Sequence, residues 1–346
     1  MNRNVKAVKV GNCTLDGKKI YIQSMINVPA EDIEGSVRQA VELEKAGCEI
    51  IRAAIPNMDA VKLIPAIKDK ISIPLVADIH FDYRLAVASA EAGIDKIRIN
   101  PGNIGDMDKV KAVVKACSSR NIPIRIGVNG GSLEKDLLEK YGRPTPEALV
   151  ESAMRHVRIL EECDFGDIVI SLKSSDVPTM IGAYRLLAEQ CCYPLHLGVT
   201  EAGTQRMGII KSAVGIGSLL CDGIGETIRV SLTDDPVNEI YAAKDILKAV
   251  GKGKGVKIVS CPTCGRTKID LIYLAKKVED AVRDIDKDIT VAVMGCVVNG
   301  IGESGNADIG IAGGDGCAVL FAKGERIRKV SEDEALEALL AEIEKL

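Results

Sequence analysis

Cys261-Pro262-Thr263-Cys264 and, further on, Met294-Gly295-Cys296 carry the side chains of this chain best suited to bind a metal. Thiolates are ligands both of structural zinc and of iron–sulfur clusters. The first pair directly follows a β-rich run at 256–260, and Cys296 follows another at 290–294, with a helical stretch at 270–282 between them. If those two strands run parallel, the three sulfurs gather at one sheet edge, where α/β folds bind ligands. A zinc ribbon wants a second Cys-x-x-Cys a short way downstream, and the sequence holds none. A cluster tolerates the long gap, and three thiolates leave one iron for another ligand or for substrate. The residues therefore predict an iron–sulfur cluster on Cys261, Cys264 and Cys296 in a reductive enzyme, with zinc as the rival. Two turns that merely contain cysteine are the plainer alternative. The fourth ligand stays open between Cys317 and Glu303, the latter on a glycine-rich loop after Cys296.

A second set of residues indicates what such an enzyme would act on. Eight short β-rich runs alternate with helical stretches, at 20–24, 50–55, 75–79, 96–100, 124–128, 168–172, 195–199 and 227–232. Ile33, Val37 and Val41 recur at helical spacing in one intervening stretch, 31–46. The stretch 46–52 echoes 92–98, each a helix end, a glycine stop and a strand ending in arginine. Pro74, Pro123 and Pro194 each open a strand, where a missing N–H does least harm. Eight βα units over roughly 245 residues match a (β/α)8 TIM barrel, whose chemistry sits at the C-terminal strand ends. Those ends read Gln23 and Ser24; Arg52; Asp78 and His80; Arg98 and Asn100; Arg125 and Asn129; Lys173 and Ser174; Glu201; Arg229 and Ser231. Five of the eight strands place an Arg or Lys there, and converging cations repel unless an anion neutralises them. A phosphate or diphosphate substrate is the economical expectation. Pairing within a structural network through Asp78 and Glu201 is the alternative, but these carboxylates are outnumbered. Gly215-Ile216-Gly217 and Gly223-Ile224-Gly225 lie between the seventh and eighth strands, where barrels often bind phosphate. Neither fits a P-loop or dinucleotide fingerprint.

After the eighth strand, Asp234-Asp235-Pro236 opens a helix that runs to about residue 250, and Gly251-Lys252-Gly253-Lys254-Gly255 follows as a linker. The expected division is a substrate-binding barrel over 1–250 and a smaller α/β cluster domain over 256–346. Net charge is −4, aromatics are 3% and Trp is absent, so neither a nucleic-acid nor an anionic-membrane partner is expected. No apolar run approaches a membrane span, which reads as cytoplasmic. The eleven cysteines are odd in number and scattered, which argues against a disulfide framework. Cys48, Cys117, Cys163, Cys191, Cys192 and Cys221 sit among aliphatic residues and are expected in the core.

Eight ordered motifs together resemble the 4-hydroxy-3-methylbut-2-enyl diphosphate synthases of the non-mevalonate isoprenoid pathway, in their short two-domain bacterial form. They are ADIHFDYRLA from Ala77, IRINPGNIG from Ile97, RIGVN from Arg125, HLGVTEAG from His196, KSAVGIG from Lys211, VSLTDDP from Val230, CPTCGR from Cys261 and MGCVVNGIGE from Met294. The resemblance spans essentially the whole chain. It implies reductive ring opening of 2-C-methyl-D-erythritol 2,4-cyclodiphosphate to the linear hydroxymethylbutenyl diphosphate. It also implies a [4Fe–4S] cluster on Cys261, Cys264, Cys296 and Glu303, and a carboxylate in place of the fourth thiol. The implied diphosphate-binding residues are Arg52, Arg98, Arg125, Lys173, Arg229 and Ser231, with Asp78, His80 and Asn129 nearby. Glu201 becomes the acid near the carbon–oxygen bond that breaks. The family's Gln-Ser-Met-Thr-Asn-Thr reads here Gln23-Ser24-Met25-Ile26-Asn27-Val28, which loses two hydroxyls, and Ser304 replaces the usual Ala.

A single cluster passes electrons one at a time, so an external carrier, flavodoxin or ferredoxin, is expected as partner. The eighth helix should end at the barrel face opposite the mouth, and a short linker can hardly carry a cluster around the barrel. A head-to-tail homodimer, in which one chain's cluster caps another's barrel, is therefore expected, as the family also implies. Two rival functions remain. One is a pterin-binding barrel enzyme with a structural zinc domain, although pterins suit five converging cations poorly. The other is a non-catalytic cluster sensor, for which the sequence offers neither a basic helix nor an exposed apolar repeat.

Overall fold

The computed structural model describes residues 3–283, 285–297, 302 and 304–346, apart from the side chain of Ser132. The chain divides into two compact units, Met1–Val250 and Gly251–Leu346.

The first unit opens with a hairpin, β1 (Val8–Val10) and β2 (Cys13–Leu15), followed by eight parallel strands. These are β3 (Tyr21–Met25), β4 (Ile50–Ala54), β5 (Leu75–Asp78), β6 (Lys96–Ile99), β7 (Ile124–Asn129), β8 (Ile168–Lys173), β9 (His196–Leu197) and β10 (Thr227–Ile228). Their lateral order is β8-β7-β6-β5-β4-β3-β10-β9. A parallel bridge from Ile170 to Leu195 joins the two ends into a barrel. The helices α1 (Ile33–Lys45), α2 (Leu63–Lys68), α3 (Tyr83–Glu91), α4 (Pro101–Ile104), α5 (Met107–Ser118), α6 (Lys135–Tyr141), α7 (Pro146–Glu161), α8 (Val177–Gln190), α9 (Gln205–Cys221) and α10 (Pro236–Ala249) fill the connections. Side-chain caps start most of the long ones: Asp32 accepts from Gly35 N–H, Asp106 from Lys109, Thr145 from Ala148, Asp176 from Thr179 and Asp235 from Val237.

Strand alternation decides what enters the barrel axis. Ile124, Ile126 and Val128 of β7, and Ile168, Ile170 and Leu172 of β8, join the large core shared with the helices. The opposite parity, Arg125, Gly127 and Asn129 beside Val169, Ser171 and Lys173, faces the axis. Beneath it, Val8, Val10 and Leu15 of the hairpin pack with Val169 and Tyr21 and close the barrel floor. The sequence does not mark this opening segment as structured. Its buried residues occupy alternate positions of three-residue strands, too short a run to stand out.

Two expected strands shrink to two residues each, 195–199 to His196–Leu197 and 227–232 to Thr227–Ile228. Just past β9, Gly198 lets the Arg229 carbonyl close in, 2.8 Å from where a Cβ would sit. Gly215 and Gly217 are mid-helix in α9 rather than in a phosphate loop, and Gly215 serves close packing, since a Cβ there would meet Val199 at 2.9 Å. The cysteine expectation holds for Cys48 and Cys117, which are buried, and partly for Cys163 and Cys191. Cys192 and Cys221 are exposed: one lies in the loop after α8, the other at the solvent-facing end of α9.

The second unit is a five-stranded sheet, β11 (Lys257–Ser260), β12 (Thr290–Met294), β13 (Ile309–Gly314), β14 (Cys317–Ala322) and β15 (Glu325–Val330). The first three strands are parallel and the last two return antiparallel. Helices α11 (Leu271–Val282) and α12 (Ala335–Lys345) cover one face over Val291, Val293, Ile311 and Leu320. Ala292, Met294, Ala312 and Phe321 form a smaller cluster on the other face. Among the described residues no helix is long and apolar enough to cross a membrane.

Candidate functional site

The barrel axis carries a vertical series of cations. Arg52, Arg98 and Lys173 are each 8% exposed near the upper strand ends, and Arg229 follows β10. Arg125 differs from the strand-end placement read from sequence. It is the second residue of a six-residue strand and has no exposure, so it lies beneath the mouth. At about 3.3 Å of rise per residue, its Cα sits roughly 13 Å along the strand below that of Asn129. Lys96, two residues before Arg98 on the same inward face, is also fully buried.

Two buried carboxylates face these cations. Asp78 accepts from Arg98 Nη1 at 3.1 Å and lies 3.7 Å from both Arg52 Nε and His80 Nε2. Burial pushes its carboxyl upward, but Arg52, His80, Arg98 and Arg125 together hold it well below the usual carboxylate range. Glu239 of α10 pairs with Arg229 Nε at 3.3 Å and accepts from Ser24 Oγ at 3.0 Å and Leu232 N–H at 3.1 Å. Leu232 directly follows the half-buried Ser231, so Glu239 anchors the loop that carries Ser231.

Six basic side chains against two carboxylates leave positive charge uncompensated. Burial lowers Arg52 to about 10 despite Asp78, with Arg229 and Arg98 adding to the effect. Burial likewise drives Arg125 and Lys173 well down, and the surrounding arginines push in the same direction. Arg125 Nε and Nη1, Lys96 Nζ, both amide atoms of Gln23 and Nε2 of His196 are buried without a hydrogen-bond partner among the described residues. An axis of desolvated, mutually repelling donors is built for an anion.

The mouth continues into a cavity of about 820 Å³ lined by Asn129, Arg143, Ser174, Asp176, Thr200 and Glu201. Glu201 is exposed, turns the chain at a left-handed φ of 51° just past β9, and lines this cavity. His80 is 57% exposed on its side chain at the rim. The Ile26 and Val28 departures are apolar packing: Ile26 is buried and Val28 packs against the core. Gln39 holds the backbone there, accepting from Asn27 N–H at 2.9 Å.

Lys96, Met25 and Glu239 were missed by sequence reading. The Lys96-Ile97-Arg98 alternation signals a second inward cation. Glu239 is a carboxylate on the apolar face of its helix, with Pro236, Ile240 and Ala243 buried around it. Nothing in the sequence marks Met25.

In the second unit, β11 and β12 are parallel neighbours, with Ser260 opposite Val293. Cys261 leaves β11 and Cys296 leaves β12 at the same sheet edge, and Gly295 N–H donates to Cys261 Sγ at 3.2 Å. Cys264 is exposed, and the Arg266 backbone N–H and then its guanidinium favour the thiolate by lowering the thiol's pKa. Cys317 begins β14 at this edge, opposite Gly314. Among the described residues no three Cys, His, Asp or Glu side chains stand close enough to hold a single metal ion. A cubane spreads its ligands over separate irons, which suits thiols at successive strand ends. Glu303 lies outside the described residues.

A family model described as the GcpE TIM-barrel domain matches residues 5–244, and one described as the GcpE protein C-terminal domain matches 257–345. A Clostridium perfringens protein named 4-hydroxy-3-methylbut-2-en-1-yl diphosphate synthase (flavodoxin) is 60% identical over 99% of both chains. Proteins of the same name from Fusobacterium nucleatum (58% identical, 98% of this chain and 96% of that one) and Geobacter sulfurreducens (55%, 100% and 99%) also match. Among solved structures, dihydropteroate synthases from Yersinia pestis (TM-score 0.51, 16% identical) and Stenotrophomonas maltophilia (0.53, 13%) each cover 71% of this chain, and 99% and 98% of their own. At such identities the likeness shows a shared barrel fold alone, and the pterin-enzyme alternative is not favoured. Matched over both units, and by close relatives from end to end, the chain belongs to the GcpE family.

Proposed function

We infer that this chain is an iron–sulfur oxidoreductase that opens 2-C-methyl-D-erythritol 2,4-cyclodiphosphate reductively to 4-hydroxy-3-methylbut-2-enyl diphosphate, with flavodoxin or ferredoxin as electron donor. The observation that carries the reading is the excess of buried cations over carboxylates along the barrel axis. In this reading Arg52, Arg98, Arg125, Lys173, Arg229 and Ser231 hold the diphosphate, with Asp78, His80 and Asn129 orienting them. As the ring opens, charge grows on the departing phosphate oxygen, and preformed donors there lower the barrier. Glu201, on the cavity wall, supplies the proton to the substrate.

Cys261, Cys264, Cys296 and Glu303 are the residues that would hold a [4Fe–4S] cluster, and the thiolate-favouring contacts at Cys264 and the Gly295 N–H donated to Cys261 Sγ suit that donor set. Bound there, the cluster supplies electrons one at a time.

We read the assembly as a head-to-tail homodimer. Lys244, near the end of α10, reaches Gly47 at the N-terminal side of β4, so the barrel's last helix finishes on the face opposite the mouth. Met207, Ile210 and Val214 also leave an exposed apolar stripe at helical spacing on α9.

Anaerobic purification, with iron and sulfide analysis and turnover of the cyclic diphosphate by reduced flavodoxin, tests the reading. Glu201→Gln should keep cluster colour and substrate affinity but lose at least about a hundredfold in kcat, as expected for a lost proton donor. A colourless, iron-free protein after reconstitution sinks the function, and unchanged turnover removes Glu201 from it.

A further inference from the structure

Met25, the half-buried last residue of β3, places a thioether between two of the site's arginines. Its Sδ accepts from Arg52 Nε at 3.1 Å and Nη2 at 2.8 Å, and from Arg229 Nη1 at 3.6 Å. Each guanidinium has its own carboxylate elsewhere: Asp78 lies 3.7 Å from Arg52, and Glu239 lies 3.3 Å from Arg229. Among the described residues the sulfur is thus the group seen to hydrogen-bond with both.

We propose that Met25 is a positioning residue for the diphosphate site, bridging Arg52 and Arg229 through its sulfur while leaving their charge to the substrate. The inference rests on the diphosphate reading of the mouth. Its physical basis is acceptor strength. A thioether is a weak, neutral, polarisable acceptor, enough to orient two N–H edges that would otherwise be desolvated and unpaired. Phosphate oxygens make charge-assisted bonds roughly twice as strong as neutral ones, so an arriving diphosphate takes over those edges without a competing anion to displace. A carboxylate at this position would hold the arginines more firmly but neutralise them. An alkyl group would leave them free to move apart under mutual repulsion.

Without a reductant the oxidised holoenzyme cannot turn the cyclic diphosphate over, so calorimetry reads affinity alone. Met25→Leu removes the acceptor at nearly constant volume and should weaken Kd about tenfold, with kcat within about twofold of wild type. Met25→Gln restores a neutral acceptor and should recover most of the loss. Met25→Glu should weaken binding about a hundredfold or more, beyond the Leu variant. The order Met, Gln, Leu, Glu supports the inference. A Leu variant that binds like wild type, or Gln and Leu variants impaired alike, overturns it by reducing Met25 to packing. A wild-type holoenzyme that does not bind the cyclic diphosphate at all overturns the diphosphate reading itself, and this inference with it.

Discussion

Lys96 holds its ammonium group in the barrel axis with no exposure and no hydrogen-bond partner among the described residues. Burial, then repulsion from Arg125, lowers it from an ordinary 10.5 to about 7. The unfolded chain therefore binds the extra proton between these two values while the folded chain does not, and stability rises with pH across that window. The contribution is complete above about 10.5 and is lost as pH falls through about 7. Lys96→Met should flatten this rise, by on the order of a few kcal/mol across the window. Denaturant unfolding of both proteins at several pH values reads the difference, which isolates Lys96 from other titrating groups. Parallel curves for the two proteins would show that Lys96 keeps its proton through pairing with something in the axis.

At the scale of the elements, two glycines on inward strand positions do different work. A Cβ on Gly127 of β7 would lie 2.4 Å from Arg98 Nε and 2.7 Å from Nη2, the movable end of a long side chain. A Cβ on Gly198 after β9 would lie 2.8 Å from the Arg229 carbonyl, which the barrel wall holds in place. Gly127→Ala should therefore leave stability within about 1 kcal/mol of wild type while pushing Arg98 off Asp78 and raising KM about tenfold. Gly198→Ala should instead destabilise by roughly 1–3 kcal/mol, the range of overpacking, with a melting temperature lower by several degrees. Equal melting temperatures for the two variants would contradict this division between side-chain and backbone constraint.

For the whole molecule, the proposed head-to-tail dimer makes each active site from two chains. Mixing a Cys296→Ser chain with a Glu201→Gln chain should then restore activity, because half of the mixed dimer's sites draw both intact groups. With random exchange the recovery should approach about a quarter of wild type, since half the dimers are mixed and each has one good site. No recovery, with exchange of labelled subunits demonstrated, argues for a site built within one chain.

Much of this was legible in the amino-acid sequence. Eight β-rich runs, their opening prolines and their cationic ends carry the barrel, because strand alternation and turn residues are local properties. The cysteines could be assigned to one sheet edge because each directly follows a β-rich run. Alternation tells which side a residue faces but not how deep it lies, so Arg125 read as a rim residue and is a buried one. The Met25 contact to Arg229 joins residues 204 apart and exists only because β3 and β10 are neighbours in the closed barrel. Glu239 enters the site from a helix rather than a strand end, through the packing of α10 on β3. Residue types and their order were thus local information, whereas depth, pairing and the uncompensated charge of the axis arise when the barrel closes and excludes water.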